Sequence, residues 1–390
     1  MSDAKISDSG IRDAGITVRR VHGIARQRAA LALLFNTSDV EPILAEMRTS
    51  AGSEAGLFEA LRDTLLVGAV WVKIEPGDTA IVWPPKTLPA DDPLVGVALM
   101  RTALTYSQQA GAKLAQMLLD RHDAAAAKLL EAVEFPYVAD LVYLVALDSE
   151  FPREDPQGSL EFEPYSHGIN HERLMRVVES TYADTLDCPE LDGVRSVDDV
   201  LEGYKAAGTF DPARWLLVRH AGEDAGCLLL TEHRSAQQHC AQQHDAETEA
   251  QEPSATVALS DEQPGSESCV TEQNVTEQRV TEQRVTEQGD SEQTNSTAAR
   301  DRSVHEVSAQ VEVERPTWEL VYMGLVPAAR GHGLAEQVVR YAQWLAAKAG
   351  CSRLVLAVDS RNHPAIRCYE RAGFLEWDRR AVHLKIFNQP

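Results

Sequence analysis

Two clusters of residues in this 390-residue chain combine types and spacings that can do chemistry. The first is Arg330-Gly331-His332-Gly333-Leu334-Ala335, which follows an apolar run, Leu320 to Val326, and Pro327. The second runs from Asn362 to Phe374 and contains Tyr369. In the first, Pro327 cannot donate a ladder hydrogen bond and so ends a strand. Gly331 and Gly333 let the backbone turn tightly and approach a ligand closely. A helix beginning there presents amides with no partner inside the helix, and the positive end of its dipole favours an anion. Arg330 adds a formal charge at the edge. The chemistry is phosphate binding, most of all a pyrophosphate. The spacing is neither G-x-G-x-x-G nor a P-loop, since no Lys-Ser/Thr follows the glycines. Taken alone, the glycine pair also suits a strand-to-helix turn with a purely steric need.

With the second cluster added, the chain resembles the GNAT (Gcn5-related) N-acetyltransferases. Their signature Gln/Arg-x-x-Gly-x-Gly/Ala matches Arg330, Gly333 and Ala335, and the preceding strand end, Val/Leu-x-Pro, matches Leu325-Val326-Pro327. Their later Asn-x-x-Ala-x-x-x-Tyr-x-x-x-Gly-Phe motif matches Asn362, Ala365, Tyr369, Gly373 and Phe374. The resemblance implies acetyl-CoA as cosubstrate. Arg330 and the loop through Gly331, His332, Gly333, Leu334 and Ala335 would hold the coenzyme pyrophosphate. The backbone near Leu325 and Val326 would pair with the pantetheine arm and polarise the thioester carbonyl. Asn362 would contact the coenzyme arm, and Tyr369 would protonate the departing thiolate.

Elementary chemistry agrees with that assignment. Acetyl transfer to an amine forms an oxyanion, which a pre-aimed backbone N–H stabilises. A thiol has a reference pKa near 8.5 and a tyrosine about 10, close enough for a positioned phenol to act as general acid. Tyr369 follows Asn362 by about two helical turns, so both can face one side. The incoming amine must be neutral to attack, which calls for a base. Glu319, on the strand leading to the glycine turn, is the candidate; a solvent-facing strand Glu is the plain alternative. His332 and His383 are lesser candidates, the first as an amide donor, the second as an ordinary strand residue.

Composition narrows the field. The net charge of −23 argues against nucleic acid or an anionic membrane as general partner, while a cationic acceptor remains compatible. No apolar signal core or membrane span is visible, and six cysteines without C-x-x-C pairing read as reduced thiols rather than a disulfide framework or a zinc site. The expectation is a cytoplasmic protein. Its acceptor would be an amine on a small molecule, a protein N-terminus or a lysine.

The elements that must position the clusters follow in order. Residues 1–15 read as a frayed N-terminus. A first half, 16–150, opens with a strand, Ile16 to Val21, and a helix through Ala25 to Phe35; Thr37 or Ser38 could cap the next helix, with Glu41 as capping partner. Leu65 to Ile74 and Thr79 to Trp83 form a hairpin around Pro76-Gly77-Asp78. Leu94 to Leu119 reads as helix-rich, with Gly111 between two helices. Ala124 to Val133 is a helix and Asp140 to Leu147 a strand.

This half can be laid on the second. On that overlay Asp123 stands where Asn362 stands, Leu130 replaces Tyr369, and Glu134 replaces Gly373. Tandem GNAT proteins often pair an active half with a degenerate one, and the first half looks similar to such a pseudo-domain. An unrelated α/β domain is the alternative.

A linker, 151–158, precedes the catalytic half, 159–390. That half begins with a strand at Leu160, a helix from Asn170 to Tyr182 and a second helix capped by Ser196 to Asp199. Glu172, Glu179 and Asp184 on or beside these helices could attract an amine. A hairpin follows, Trp215 to Val218 with Cys227 to Thr231, then Thr317 onward, closing with a strand from Val382 to Phe387. The fold class is thus α/β (α+β): two tandem GNAT-like domains, each a mixed, mostly antiparallel twisted sheet flanked by helices.

Residues 233–312 break this pattern. They hold sixteen Asp/Glu against five Lys/Arg, no Phe, Tyr or Trp, and four copies of Val-Thr-Glu-Gln at a five-residue period beginning at Val270. That period matches neither helix nor strand, and the composition cannot bury enough surface to order itself. The segment reads as a disordered insertion in a loop, which chain entropy tolerates. It is either an expansion with no role or an acidic tether. Two function classes follow: a coenzyme A-dependent N-acetyltransferase, with a mycothiol-synthase-like role among its options, and a non-catalytic acetyl-CoA-binding or scaffold protein.

Overall fold

A computed structural model describes residues 11–13, 15–49, 56–88, 93–120, 123–156, 158–233 and 315–387. The expected insertion, apart from His233, lies outside them, as do residues 1–10. The first half comprises β1 (Ile11–Asp13), β2 (Ile16–Arg20), α1 (Ile24–Phe35), α2 (Glu41–Thr49), β3 (Leu57–Arg62), β4 (Leu65–Glu75) and β5 (Thr79–Val82). It continues through β6 (Lys86–Thr87), α3 (Pro93–Gln109), β7 (Leu114–Asp120), α4 (Ala124–Ala132) and β8 (Tyr137–Leu147).

Three expectations change here. Residues 11–13 do not fray but pair antiparallel with β2, Ile11 facing Val18. Glu41 begins α2 instead of serving as a capping partner within it, and its carboxylate sits 2.7 Å from Arg28 Nε on α1. The stretch after Gly111 is strand β7, not a second helix. Its Leu, Ala, Gln and Met favour helix intrinsically. Yet Ala115, Met117 and Leu119 alternate into one core, Leu114 faces the other way, and strands bond on both edges. Tertiary pairing overrides the local preference.

The second half comprises β9 (Leu160–Pro164), α5 (His167–Tyr182), α6 (Val197–Ala206), β10 (Trp215–His220), β11 (Glu223–His233) and β12 (Thr317–Leu325). It ends with α7 (Leu334–Lys348), β13 (Arg353–Asp359), α8 (His363–Arg371) and β14 (Leu375–Ile386). The start of α6 is fixed by a capping box in which Ser196 and Asp199 satisfy each other's backbone amides. Alternation on β11 assigns the faces: Leu228 and Leu230 pack under α7, Cys227 and Leu229 under α5.

The strands form one sheet in the order β1-β2-β3-β4-β5-β7-β14-β8-β13-β12-β11-β10-β9, with β6 on β4. The halves interlock at its centre. β14, the last strand of the second half, lies between β7 and β8 of the first, while β8 lies between β13 and β14. Each half lends its final strand to the other. The halves accordingly form one compact unit rather than two bodies joined by a linker.

The internal overlay is visible in the backbone. Asp123 caps α4 by accepting from the Ala126 amide at 2.8 Å, and Asn362 caps α8 by accepting from Ala365 at 3.3 Å. After each helix one residue turns left-handed, Glu134 at φ 54° and Gly373 at φ 87°. A buried phenylalanine follows, with Phe135 N bonded to Leu130 O and Phe374 N to Tyr369 O.

Candidate functional site

β12 and β13 run parallel but pair only over Thr317–Arg353, Trp318–Leu354 and Glu319–Val355. Immediately beyond, the register of β12 on β11 slips: Leu230 faces Leu320 and Leu229 faces Tyr322, which leaves Val321 as an extra residue. Such a bulge bends a strand and breaks the ladder locally. β12 therefore leaves β13, and past Glu319 its β13-facing edge has no strand partner among the described residues. A cleft of about 350 Å³ occupies the opening. Its walls are Leu320 to Leu325 on one side and Ala357, Val358, Asn362 and Tyr369 on the other; the end of α5 and residues 184–187 close it above.

Helix α5 rides directly on β12. Thr181 donates to or accepts from the Tyr322 hydroxyl at 2.6 Å, and Tyr204 of α6 stacks on Tyr322 with centroids 5.3 Å apart. The loop after α5 is fastened across the cleft to the end of β13. Asp187 accepts from the Asp359 amide at 2.8 Å, and Asp359 accepts from the Cys188 amide at 3.1 Å. Arg361 then bridges Asp359 and Glu190. Burial raises the Asp187 carboxyl above the ordinary range. Burial pushes Asp359 up as well, but hydrogen bonds from the Arg361 side chain and from two backbone amides outweigh it, so its net shift is downward.

Gly331 and Gly333 both take left-handed backbone, φ 81° and 74°, as the turn requires. Among the described residues, none of the amides from Gly331 to Ala335 donates to protein. They form the open end of α7 that the motif predicts. Two neighbouring expectations shift. The Arg330 guanidinium is not free for a phosphate: Nε donates to Leu325 O at 3.0 Å, Nη1 to Ala183 O at 2.7 Å and Nη2 to Thr181 O at 2.8 Å. It satisfies the orphan carbonyls at the end of α5 and ties that helix to the end of β12. The Val326 amide is likewise bonded, to Ala225 O at 3.0 Å. The open part of β12 lies upstream, from Val321 to Gly324.

Asn362 lines the cleft with its Oδ1 committed to capping α8. Tyr369 lines the same cleft although only 6 % exposed, packs on Phe374, and its hydroxyl has no protein partner among the described residues. Burial raises its pKa above the ordinary 10.0. Glu319 sits at the apex, the last residue paired to β13, with Oε2 2.6 Å from His233 Nε2 on β11. His332 is solvent-exposed on the turn. His383 is not at the cleft: its Nδ1 meets Phe135 O of the first half at 3.1 Å. Of the acidic helix residues, only Asp184 reaches the cleft; Glu172 and Glu179 face solvent.

Sequence reasoning did not find Thr181, Asp187, Asp359 or His233. No short motif contains them, because chain segments far apart bring them together. The one local signal is the Asp359-Ser360-Arg361-Asn362 spacing, which places a carboxylate and its guanidinium just ahead of the motif asparagine.

Residues 300–374 match the Acetyltransferase (GNAT) family. Among curated proteins, no sequence matches the chain. The fold is similar to that of a GCN5-related N-acetyltransferase from Sphaerobacter thermophilus, with a TM-score of 0.52 at 13% identity over 96% of both chains. It is also similar to a GCN5-related glucosamine N-acetyltransferase region of a fungal multi-domain GH3 beta-N-acetylglucosaminidase. That match has a TM-score of 0.51 at 13% identity over 96% of this chain and 38% of the other. The chain thus shares the fold of GCN5-related N-acetyltransferases, and the family match lies in its second half. Among the described residues, no helix is long and apolar enough to cross a membrane.

Proposed function

We propose that this protein transfers the acetyl group of acetyl-CoA to a primary amine by direct attack on the thioester. The observation that carries this reading is the cleft at the β12–β13 opening, lined both by Tyr369, whose hydroxyl has no protein partner among the described residues, and by the edge of β12 that has no strand partner among them.

The residues present suit the coenzyme. The free amides 331–335 at the positive end of α7 would take the pyrophosphate. The open edge of β12 from Val321 to Gly324 would pair with the amide groups of the pantetheine arm. Asn362 would meet that arm from the α8 side. Acetyl-CoA supplies the activated acyl group.

The amine lone pair forms the new C–N bond at the carbonyl carbon, and a β12 amide steadies the oxyanion. The C–S bond then breaks, and Tyr369, kept protonated by burial, gives its proton to the thiolate. Glu319, with His233 beside it, takes the proton that the nitrogen loses.

Purified protein mixed with acetyl-CoA and a panel of primary amines, followed by detection of released thiol, tests this. Turnover is expected, falling about a hundredfold or more in Tyr369→Phe, within the usual range for general acid catalysis. Coenzyme binding by calorimetry with no turnover for any amine would overturn it in favour of a non-catalytic acetyl-CoA-binding protein.

A further inference from the structure

Because β8 lies between β13 and β14, a residue of the first half stands beside the catalytic cleft of the second. Tyr143 faces Ala357, a cleft residue, across one ladder, and Asp378 across the other. Val142, Leu144 and Ala146 point into the core under α7, so Tyr143 and Val145 point to the opposite face, where Glu319 also projects. Glu319, Val355, Val145 and Leu375 lie in one row across four strands, next to the row of Ala357, Tyr143 and Asp378.

The surface here has two characters. One part is apolar and open to water: Trp377 is 44% exposed and Leu375 69%. Trp377 occupies a bulge of β14 and meets Tyr143 edge-on, with centroids 5.9 Å apart. Exposed apolar groups grouped on a strand face mark an interaction site, and Tyr and Trp are the residues such sites favour.

The other part is acidic. Asp378 and Glu376 are neutralised by Arg380 and Arg379, each at 2.8 Å, whereas the partner of Glu319 is a histidine. Burial raises the Tyr143 hydroxyl first, the Glu319 and Asp378 charges raise it further, and the Arg380 charge opposes them. A cation held at Glu319 with an apolar body over Trp377 and Tyr143 satisfies both parts.

We propose that the two halves jointly build the acceptor site, with Tyr143 of the first half and Trp377 of the second forming an apolar wall beside Glu319 that selects small primary amines bearing an aromatic or apolar body. This rests on the acetyl-transfer reading for the direction in which the amine enters. Its recognition element is supplied by the strand exchange.

The test is a pair of amines matched at the reacting end, 2-phenylethylamine and ethanolamine, assayed with acetyl-CoA against the full chain. Wild type is expected to favour 2-phenylethylamine by about tenfold or more in kcat/KM, as apolar-pocket selectivity allows. The ratio is expected to collapse toward one in Trp377→Ala and in Tyr143→Ala, mainly through KM, and to survive in Tyr143→Phe, which keeps the ring. Acetyl-CoA affinity by calorimetry is expected to persist in all three. Trp377 is exposed, so its variant reports even if Tyr143→Ala misfolds. No preference in wild type, or equal losses for both amines in the variants, overturns the proposal. A concentration-dependent dimer lost in Trp377→Ala, without amine selectivity, also overturns it and makes this face a contact between copies of the chain. If acetyl transfer itself fails, direct binding of 2-phenylethylamine, and its loss in Trp377→Ala, still decides the matter.

Discussion

Thr181 fills the space that a side chain on Gly324 would need. A Cβ at Gly324 would lie 2.7 Å from Thr181 Cβ and 2.7 Å from its Oγ1. The closeness lets Thr181 reach the Tyr322 hydroxyl and seats α5 against the open edge of β12. Gly324→Ala is therefore expected to push α5 from the cleft wall. Overpacking of this kind costs about 1–3 kcal/mol. A lower Tm together with a raised KM for acetyl-CoA would agree; an unchanged melt would show that α5 shifts freely.

Arg330 gives a second distinction. Read from the motif alone, it is a phosphate ligand. In the structure its fork holds three carbonyls, Leu325, Ala183 and Thr181. A lysine cannot reproduce that fork. Arg330→Lys is expected to lower Tm by several degrees, since unsatisfied partly buried acceptors cost about 1–3 kcal/mol. Thermal melts with and without acetyl-CoA check this. A variant as stable as wild type but with weakened coenzyme binding would return Arg330 to the phosphate.

The contrast shows what the sequence could and could not disclose. The glycine turn, Asn362 and Tyr369 were legible because each acts through local geometry: a positive φ, a cap, a position two turns along a helix. The overlay of Asp123 on Asn362 and of Glu134 on Gly373 was legible for the same reason. The exchange of β8 and β14 was not, because any strand of alternating apolar residues suits either neighbour. The residue types of β7 carry helix propensity and so read as helix in the sequence, and only its two ladder partners decide otherwise. The Asp187–Asp359–Arg361 clasp joins loops well separated along the chain, and no spacing rule reaches that far.

Tyr369 yields a prediction on the basic side of the pH profile. Burial holds its hydroxyl above its ordinary value of 10.0, so the phenol stays protonated throughout the range in which an attacking amine becomes neutral. kcat is expected to rise to a plateau and stay level to about pH 10. A descending limb below that, present in wild type and missing from the residual activity of Tyr369→Phe, would show that the hydroxyl ionises easily and cannot be the buried acid described.

His383 couples the two halves to pH. It sits on β14, 5% exposed, with Nδ1 donating to Phe135 O of the first half. Desolvation by burial lowers its pKa below 6.5, only partly opposed by that hydrogen bond. The unfolded chain therefore takes up a proton that the folded one resists. The neutral ring's contribution is complete above the unfolded value of 6.5 and is lost as pH falls from there toward the lower folded value. Melts between about pH 7.5 and 5 should show Tm declining with acid in wild type. His383→Asn, which can still donate to Phe135 but does not titrate, should give a flatter profile across that window, whatever its absolute Tm. Equal slopes would mean that the ring charges without disturbing the shared strand.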